Sequence, residues 1–162
     1  MHSGKILVAK QSGAYILKFQ GDVRLTLCAS LDHFLESMFS DPDFKTVLID
    51  LTETEGIDST SLGLLAKISV KMQQQFHLLP TILSVNEDIT RILLSMGFDK
   101  VFILIREYSS GNASLLKEVP EILGSEEDVK NTVLNAHKTL MDLNEQNRAT
   151  FSELVSSLEN CQ

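Results

Sequence analysis

Much of what this chain could do is excluded by what it has little of. Among its 162 residues are two cysteines, Cys28 and Cys161. They stand far apart in sequence, one beside the chain end, so neither a disulfide framework nor a metal-ligand spacing is suggested, and the cytosol is the expected compartment. No apolar run approaches the ~20 residues of a membrane-spanning helix, and the opening "MHSGKILVAKQSG" returns to polar residues too soon for a signal peptide. Clusters of Lys and Arg are missing too. Net charge is −8: residues 1–106 hold 10 Lys/Arg and 12 Asp/Glu, a balance of −2, and residues 107–162 hold 4 and 10, a balance of −6. Nucleic acid and anionic membrane both reward clustered cations, so neither is expected as a ligand; a protein partner with a basic surface fits better.

Signatures of catalysis are equally sparse. No Gly-x-Ser-x-Gly elbow occurs, and His2, His33, His77 and His137 are dispersed, with neither a triad context nor paired-ligand spacing. Gly56 and Gly63 are isolated, with no Gly-rich loop leading to a phosphate-cradling Lys. The expectation is a non-enzyme without metal or cofactor.

What is present describes a folded chain. An apolar fraction of 43% and a charged fraction of 22% are ordinary for a globular protein, and the length suits one domain, alone or with an appendage. "KILVA" (5–9) and "YILKF" (15–19) flank a turn-like "KQSGA" and read as a strand hairpin. In "LTLCASLDHFLESMF", Leu27, Leu31, Phe34, Leu35 and Met38 recur at helical spacing, closed by Asp41-Pro42. "KTVLIDL" (45–51) is a continuous apolar run, the pattern of a central strand covered on both faces. A second amphipathic helix follows over 59–75, carrying Leu62, Leu65, Ala66, Ile68 and Met72. "LLPTILSV" (78–85) reads as another buried strand, "NEDITRILLSMG" as a capped helix ended by Gly97, and "KVFILI" (100–105) as a further strand. Alternating strands and helices after a leading hairpin predict an α/β fold with a mixed, mostly parallel sheet.

At the junction of the central strand and the second helix lies "TETEGIDSTSLGLLAK". Asp58, Ser59, Thr60 and Ser61 can all cap a helix, yet a cap needs only one. In a parallel sheet this strand-to-helix loop, 52–59, opens at one edge, so the hydroxyls are expected to be exposed. Beyond residue 107 the pattern changes. "EYSSGNAS" breaks the chain, and Pro120 and Gly124 rule out one uninterrupted helix, leaving a linker with one short helical turn. Val129, Val133, Ala136, Leu140, Leu143, Asn147, Phe151, Leu154 and Leu158 then mark a long amphipathic helix or helical hairpin. That stripe either packs back on the sheet domain or meets a second copy or a partner helix. A mixed arrangement is expected, with 115–124 packed and the helix after Glu126 partly available. Asn147 on the seam needs a polar partner if buried.

At "IDSTSLG" the chain resembles the STAS domain of anti-sigma factor antagonists, which carry Asp-Ser-Ser/Thr-Gly-Leu-Gly or a close variant after a central apolar strand. "LDHFLESMFSDPDFKTVLIDLTETEGIDSTSLGLLAKI" and "ITRILLSMGFDKVFILI" extend the likeness through residues 5–106. The resemblance implies a STAS-like domain over 1–106 and an acidic helical C-terminal extension over 107–162. It implies phosphorylation at Ser59 by a serine kinase, with Thr60 and Ser61 as lesser acceptors, reversal by a phosphatase, and a partner face of Asp58, Ser59, Thr60, Ser61, Leu62 and Gly63. Ser61 departs from the pattern, standing where the family has Gly. The implied partner is an anti-sigma factor, bound while Ser59 is unmodified so that a sigma factor goes free. The tail "HKTLMDLNEQNRATFSELV" is similar to extensions on antagonists of the flagellar anti-sigma factor. A scaffold or sensor module without phosphorylation, or a small anion- or nucleotide-binding domain, are the alternatives.

Overall fold

The computed structural model describes residues 2–106 and 117–160. It begins with the expected hairpin: β1 (Lys5–Gln11) and β2 (Ala14–Val23) are antiparallel and joined at Ser12-Gly13. Both turn residues have positive φ, 51° and 84°, the conformation a two-residue hairpin turn requires. A side chain at position 13 would meet the Asp43 carbonyl oxygen at 2.1 Å, which leaves only glycine there. The chain continues through α1 (Cys28–Ser40), β3 (Thr46–Ile57), α2 (Ser59–Phe76), β4 (Thr81–Leu83), α3 (Glu87–Ser95), β5 (Ile103–Ile105), β6 (Lys117–Glu118), α4 (Glu126–Leu143) and α5 (Glu145–Asn160).

The six strands form one sheet in the order β5-β4-β3-β2-β1-β6. Strands β2 to β5 are parallel, and β1 is antiparallel to both of its neighbours. The core collects Leu17, Phe19, Ile49, Leu51, Leu65, Ile68, Ile82 and Phe98, all fully buried. The apolar runs at β2 and β3 thus supply the centre of the sheet, whereas the run at 100–105 is a strand only over Ile103–Ile105, at the edge, with Ile103 and Ile105 exposed.

Four expectations change. Residues 52–57 are strand rather than loop: β3 continues to Ile57 beside β2, through register shifts, and buried Thr54 donates its hydroxyl to the Phe19 carbonyl at 2.8 Å. β-branched Thr alternating with outward Glu suits an extended chain, so the acidic stretch is a sheet rim. The 78–85 run shrinks to Thr81–Leu83, because His77 ends α2 at φ 55° and leaves Leu78 and Leu79 exposed. Sheet residues also occur beyond 106, where Lys117–Glu118 pairs with β1. The break at 107–114 lies outside the described residues, and 117–125 contains no helical turn.

The C-terminal stripe resolves into a hairpin. Ser125 opens α4 with a reciprocal box, its hydroxyl accepting from Asp128 N while the Asp128 carboxylate accepts from Ser125 N. Asn144 breaks the run, since its extended backbone ends α4 and its side-chain oxygen accepts from Asn147 N at 2.7 Å to start α5. Asn147 is buried and satisfied, donating Nδ2 to the carbonyls of Met96 at 2.9 Å and Leu140 at 3.0 Å. The helix after Glu126 is less available than expected: α4 lies on α2, with Ala136, His137 and Leu140 buried.

Candidate functional site

The site grows from the end of β3. Asp58 leaves the strand with φ −87° and ψ 170° and caps α2, its Oδ1 accepting from Ser61 N at 2.8 Å. The other oxygen, Oδ2, accepts from Leu25 N at 2.7 Å, and Asp58 N donates to the Val23 carbonyl at 3.1 Å. This carboxylate joins the exit of β2, the turn before α1 and the start of α2. Its caps are structural, the kind whose loss costs about 0.5–2 kcal/mol.

Each residue turns a helix by ~100°, so three successive hydroxyls face three directions. Ser61 is 1% exposed and points to α1, with Oγ 3.5 Å from Cys28 Sγ. Burial pushes the Cys28 thiol up to about 11, the Ser61 hydroxyl pulling the other way. Thr60 is buried as well. Ser59, half-buried, meets the hairpin: its Oγ lies 2.8 Å from His137 Nε2. The exposed cluster expected from the strand-loop-helix geometry is therefore covered, because α1 and α4 flank the first turn of α2. Leu62 is buried too, and Gly63 lies against Ala136.

His137 belongs to the site although its position in sequence gave no hint of it. It is 78 residues from Ser59, and its only signal is adjacency to Ala136 on the apolar stripe. The ring is 2% exposed and braced by the edge of Phe151 at 5.2 Å. Its Nδ1 lies 2.7 Å from the Val133 carbonyl, which can only accept, so Nδ1 carries the proton. In the neutral ring Nε2 is then the acceptor for the Ser59 hydroxyl. The pair looks like two members of a hydrolase triad, but a backbone carbonyl stands where a carboxylate would stabilise the imidazolium.

Among the described residues, no group of three or more His, Cys, Asp or Glu is placed to hold a metal ion, and no helix is long and apolar enough to cross a membrane. A surface hollow of about 540 Å³ lies away from Ser59, between the start of the chain and the rim of β3, lined by residues including Lys5, Gln20, Glu53 and Asn86.

The sequence profile of the STAS domain matches residues 5–111, and the chain belongs to that family. Its fold resembles the crystal structure of an anti-sigma factor antagonist from Mycobacterium paratuberculosis, with a TM-score of 0.57 and 21% sequence identity. The likeness covers 65% of this chain and 87% of that one. The parallel strands β2 to β5, the leading hairpin and the helices between them are the STAS architecture.

Proposed function

We propose that this STAS protein is an anti-sigma factor antagonist, acting in the cytoplasm by binding rather than catalysis and switched by phosphorylation of Ser59. The observation that carries the reading is the placement of Ser59 as the first residue of α2, directly after the Asp58 cap, in a family-matched domain. The structural relative bears the same functional description. The working unit is residues 1–106, with 107–162 as an acidic extension that adds β6 to the sheet and carries α4 and α5.

In the unmodified state the α2 face of Ser59 and Gly63 docks on the anti-sigma factor and releases a sigma factor, the flagellar one being the specific expectation. A serine kinase moves the terminal phosphoryl group of a nucleoside triphosphate onto Ser59 Oγ as the hydroxyl proton leaves; a phosphatase returns it to water. The added charge of about −1.5 to −2 at a helix start is tolerated by the fold, since free amides and the helix dipole favour an anion there. At an interface the same charge beside Asp58 must be desolvated and repels acidic groups opposite.

Phosphopeptide mapping of protein from cells tests the acceptor, and phosphate found on Thr60 or Ser61 but never on Ser59 would sink the assignment. Affinity capture with Ser59→Ala and Ser59→Asp baits tests the partner. The Ala bait is expected to retain an anti-sigma factor that the Asp bait loses.

A further inference from the structure

The α2 face just described is already occupied in the folded chain. Ser59 and Gly63 are four residues apart and lie one above the other on one side of the helix. Consecutive residues of α4 cover both. A Cβ at Gly63 would meet the Ala136 carbonyl oxygen at 2.4 Å and the Ala136 Cβ at 2.5 Å, a backbone-to-backbone approach that only glycine permits. His137 takes the Ser59 hydroxyl one step further along α4. A phosphate on Oγ would bring three more oxygens into the space of the imidazole.

From this geometry we propose that the α4–α5 hairpin is a cover built into the chain, holding the Ser59–Gly63 face against kinase and partner alike until it swings off as a unit. The proposal rests on Ser59 being the regulated hydroxyl, and adds the step that controls access to it.

The hairpin is constructed to leave in one piece. Within it, Phe151 of α5 packs on the His137 ring, Asn147 of α5 donates to the Leu140 carbonyl of α4, and Lys138 pairs with Glu159 at 3.0 Å. Its polar ties to the body are His137 to Ser59 and the Asn144 and Asn147 amides to the Met96 carbonyl at 3.3 and 2.9 Å, beside the apolar contact of Leu140 and Phe151 with the core of the body. Asn144 sits where a side chain at Gly97 would collide with its Nδ2 at 2.5 Å. Two glycines thus receive the hairpin, one at each docking point. Cooperative units that open below the global unfolding free energy often coincide with supersecondary motifs such as this helical hairpin.

Hydrogen exchange on the full-length chain tests the opening. Amides of 126–160 are expected to exchange at least tenfold faster than those at the centre of β3, through an event that leaves β3 protected. A single shared opening for both regions would overturn the proposal. Ala136→Glu, which crowds the crossing without altering α2, is expected to bring the hairpin amides close to unprotected rates while β3 stays protected. If that variant unfolds throughout, the wild-type exchange pattern alone decides.

Phosphate occupancy of Ser59 in cells, read by mass spectrometry, tests the consequence. It is expected to rise severalfold in Ala136→Glu over wild type, and equal occupancy would overturn the cover. Absence of phosphate from Ser59 in both would instead refute the phosphorylation switch, with the exchange result still deciding whether the hairpin opens.

Discussion

The sheet body and the C-terminal hairpin are both well packed, but they are held by different means. In the body, Leu17, Phe19, Ile49, Leu51, Leu65 and Ile68 share one apolar core, which Leu140 and Phe151 of the hairpin join from outside the sheet. The hairpin contributes Ala136, Leu140, Phe151 and Val155 as buried apolar residues, and alongside them buries His137 and Asn147, both hydrogen-bonded to the body. The C-terminal third that contains it carries most of the acidity, since residues 107–162 have a balance of −6 against −2 for the rest. Apolar burial is non-directional and grows with area, whereas a hydrogen bond needs one geometry and has a net worth of only about 0.5–1.5 kcal/mol. Disturbing one directed contact can therefore weaken the docking of the hairpin while its apolar contacts remain.

The sharpest test of that contrast compares Ile49→Ala in β3 with Leu140→Ala in α4. Both side chains are fully buried, and each truncation is expected to cost roughly 2–5 kcal/mol. Their exchange signatures should differ. Ile49 keeps its contacts when the hairpin opens, so its truncation lowers the opening free energy of β3 amides and leaves that of hairpin amides unchanged. Leu140 loses contacts in partial and global opening alike, so its truncation lowers both. Equal effects of the two variants on the hairpin amides would erase the distinction between the regions.

A pH titration reaches the body from beneath α2. Burial raises the Cys28 thiol from an ordinary 9.0 to about 11, so the folded state resists ionisation that the unfolded chain accepts. That contribution is complete below pH 9 and is lost as pH rises through 11. At about 1.4 kcal/mol per pH unit, the two units limit the loss to about 3 kcal/mol. Urea unfolding between pH 8 and 11 should show wild type losing stability faster than Cys28→Ala. Parallel curves would mean that the thiol is free to ionise in the folded protein.

On the hairpin side, Asn147→Ala removes both Nδ2 bonds, which leaves the Met96 carbonyl with only the longer bond from Asn144 and takes this donor from the Leu140 carbonyl. The expected cost is about 1–3 kcal/mol in chemical denaturation, with Asn147→Asp no better because a carboxylate cannot donate to a carbonyl. A neutral result for Asn147→Ala would show the hairpin to be held by apolar contact alone, like the body.

The two regions were also unequally legible in the sequence. Strand and helix order in the body followed from the apolar pattern, a short continuous run in "KTVLIDL" and helical spacing over Leu62–Met72, although α2 is in fact buried all round from Thr60 to Ala66. The Asp58 cap was readable for the same local reason. The environment of Ser59 was not, since it depends on where α4 lands and no local pattern encodes an 78-residue contact. Gly63 and Gly97 could be read only as a motif position and a helix end, and their roles as seats for Ala136 and Asn144 appear in three dimensions. Extension of β3 through "TETEG" was missed because Glu was read as loop chemistry, whereas on a sheet rim it is simply the outward residue.

The smallest expected effect concerns how the hairpin leaves. Lys138 and Glu159 pair across α4 and α5 with about half of each side chain exposed, 45% and 48%. A pair of this kind is worth about 0.2–1 kcal/mol and is weakened by salt. Because both partners belong to the hairpin, the pair survives if α4 and α5 swing away together and is lost if they unravel. Lys138→Ala should therefore lower the stability of the hairpin's own fold by that small amount and leave its opening free energy, read by hydrogen exchange at low salt, unchanged. A drop in the opening free energy equal to the drop in global stability would show that the helices come apart as they leave, and the cover would then work by local unfolding rather than by a rigid swing.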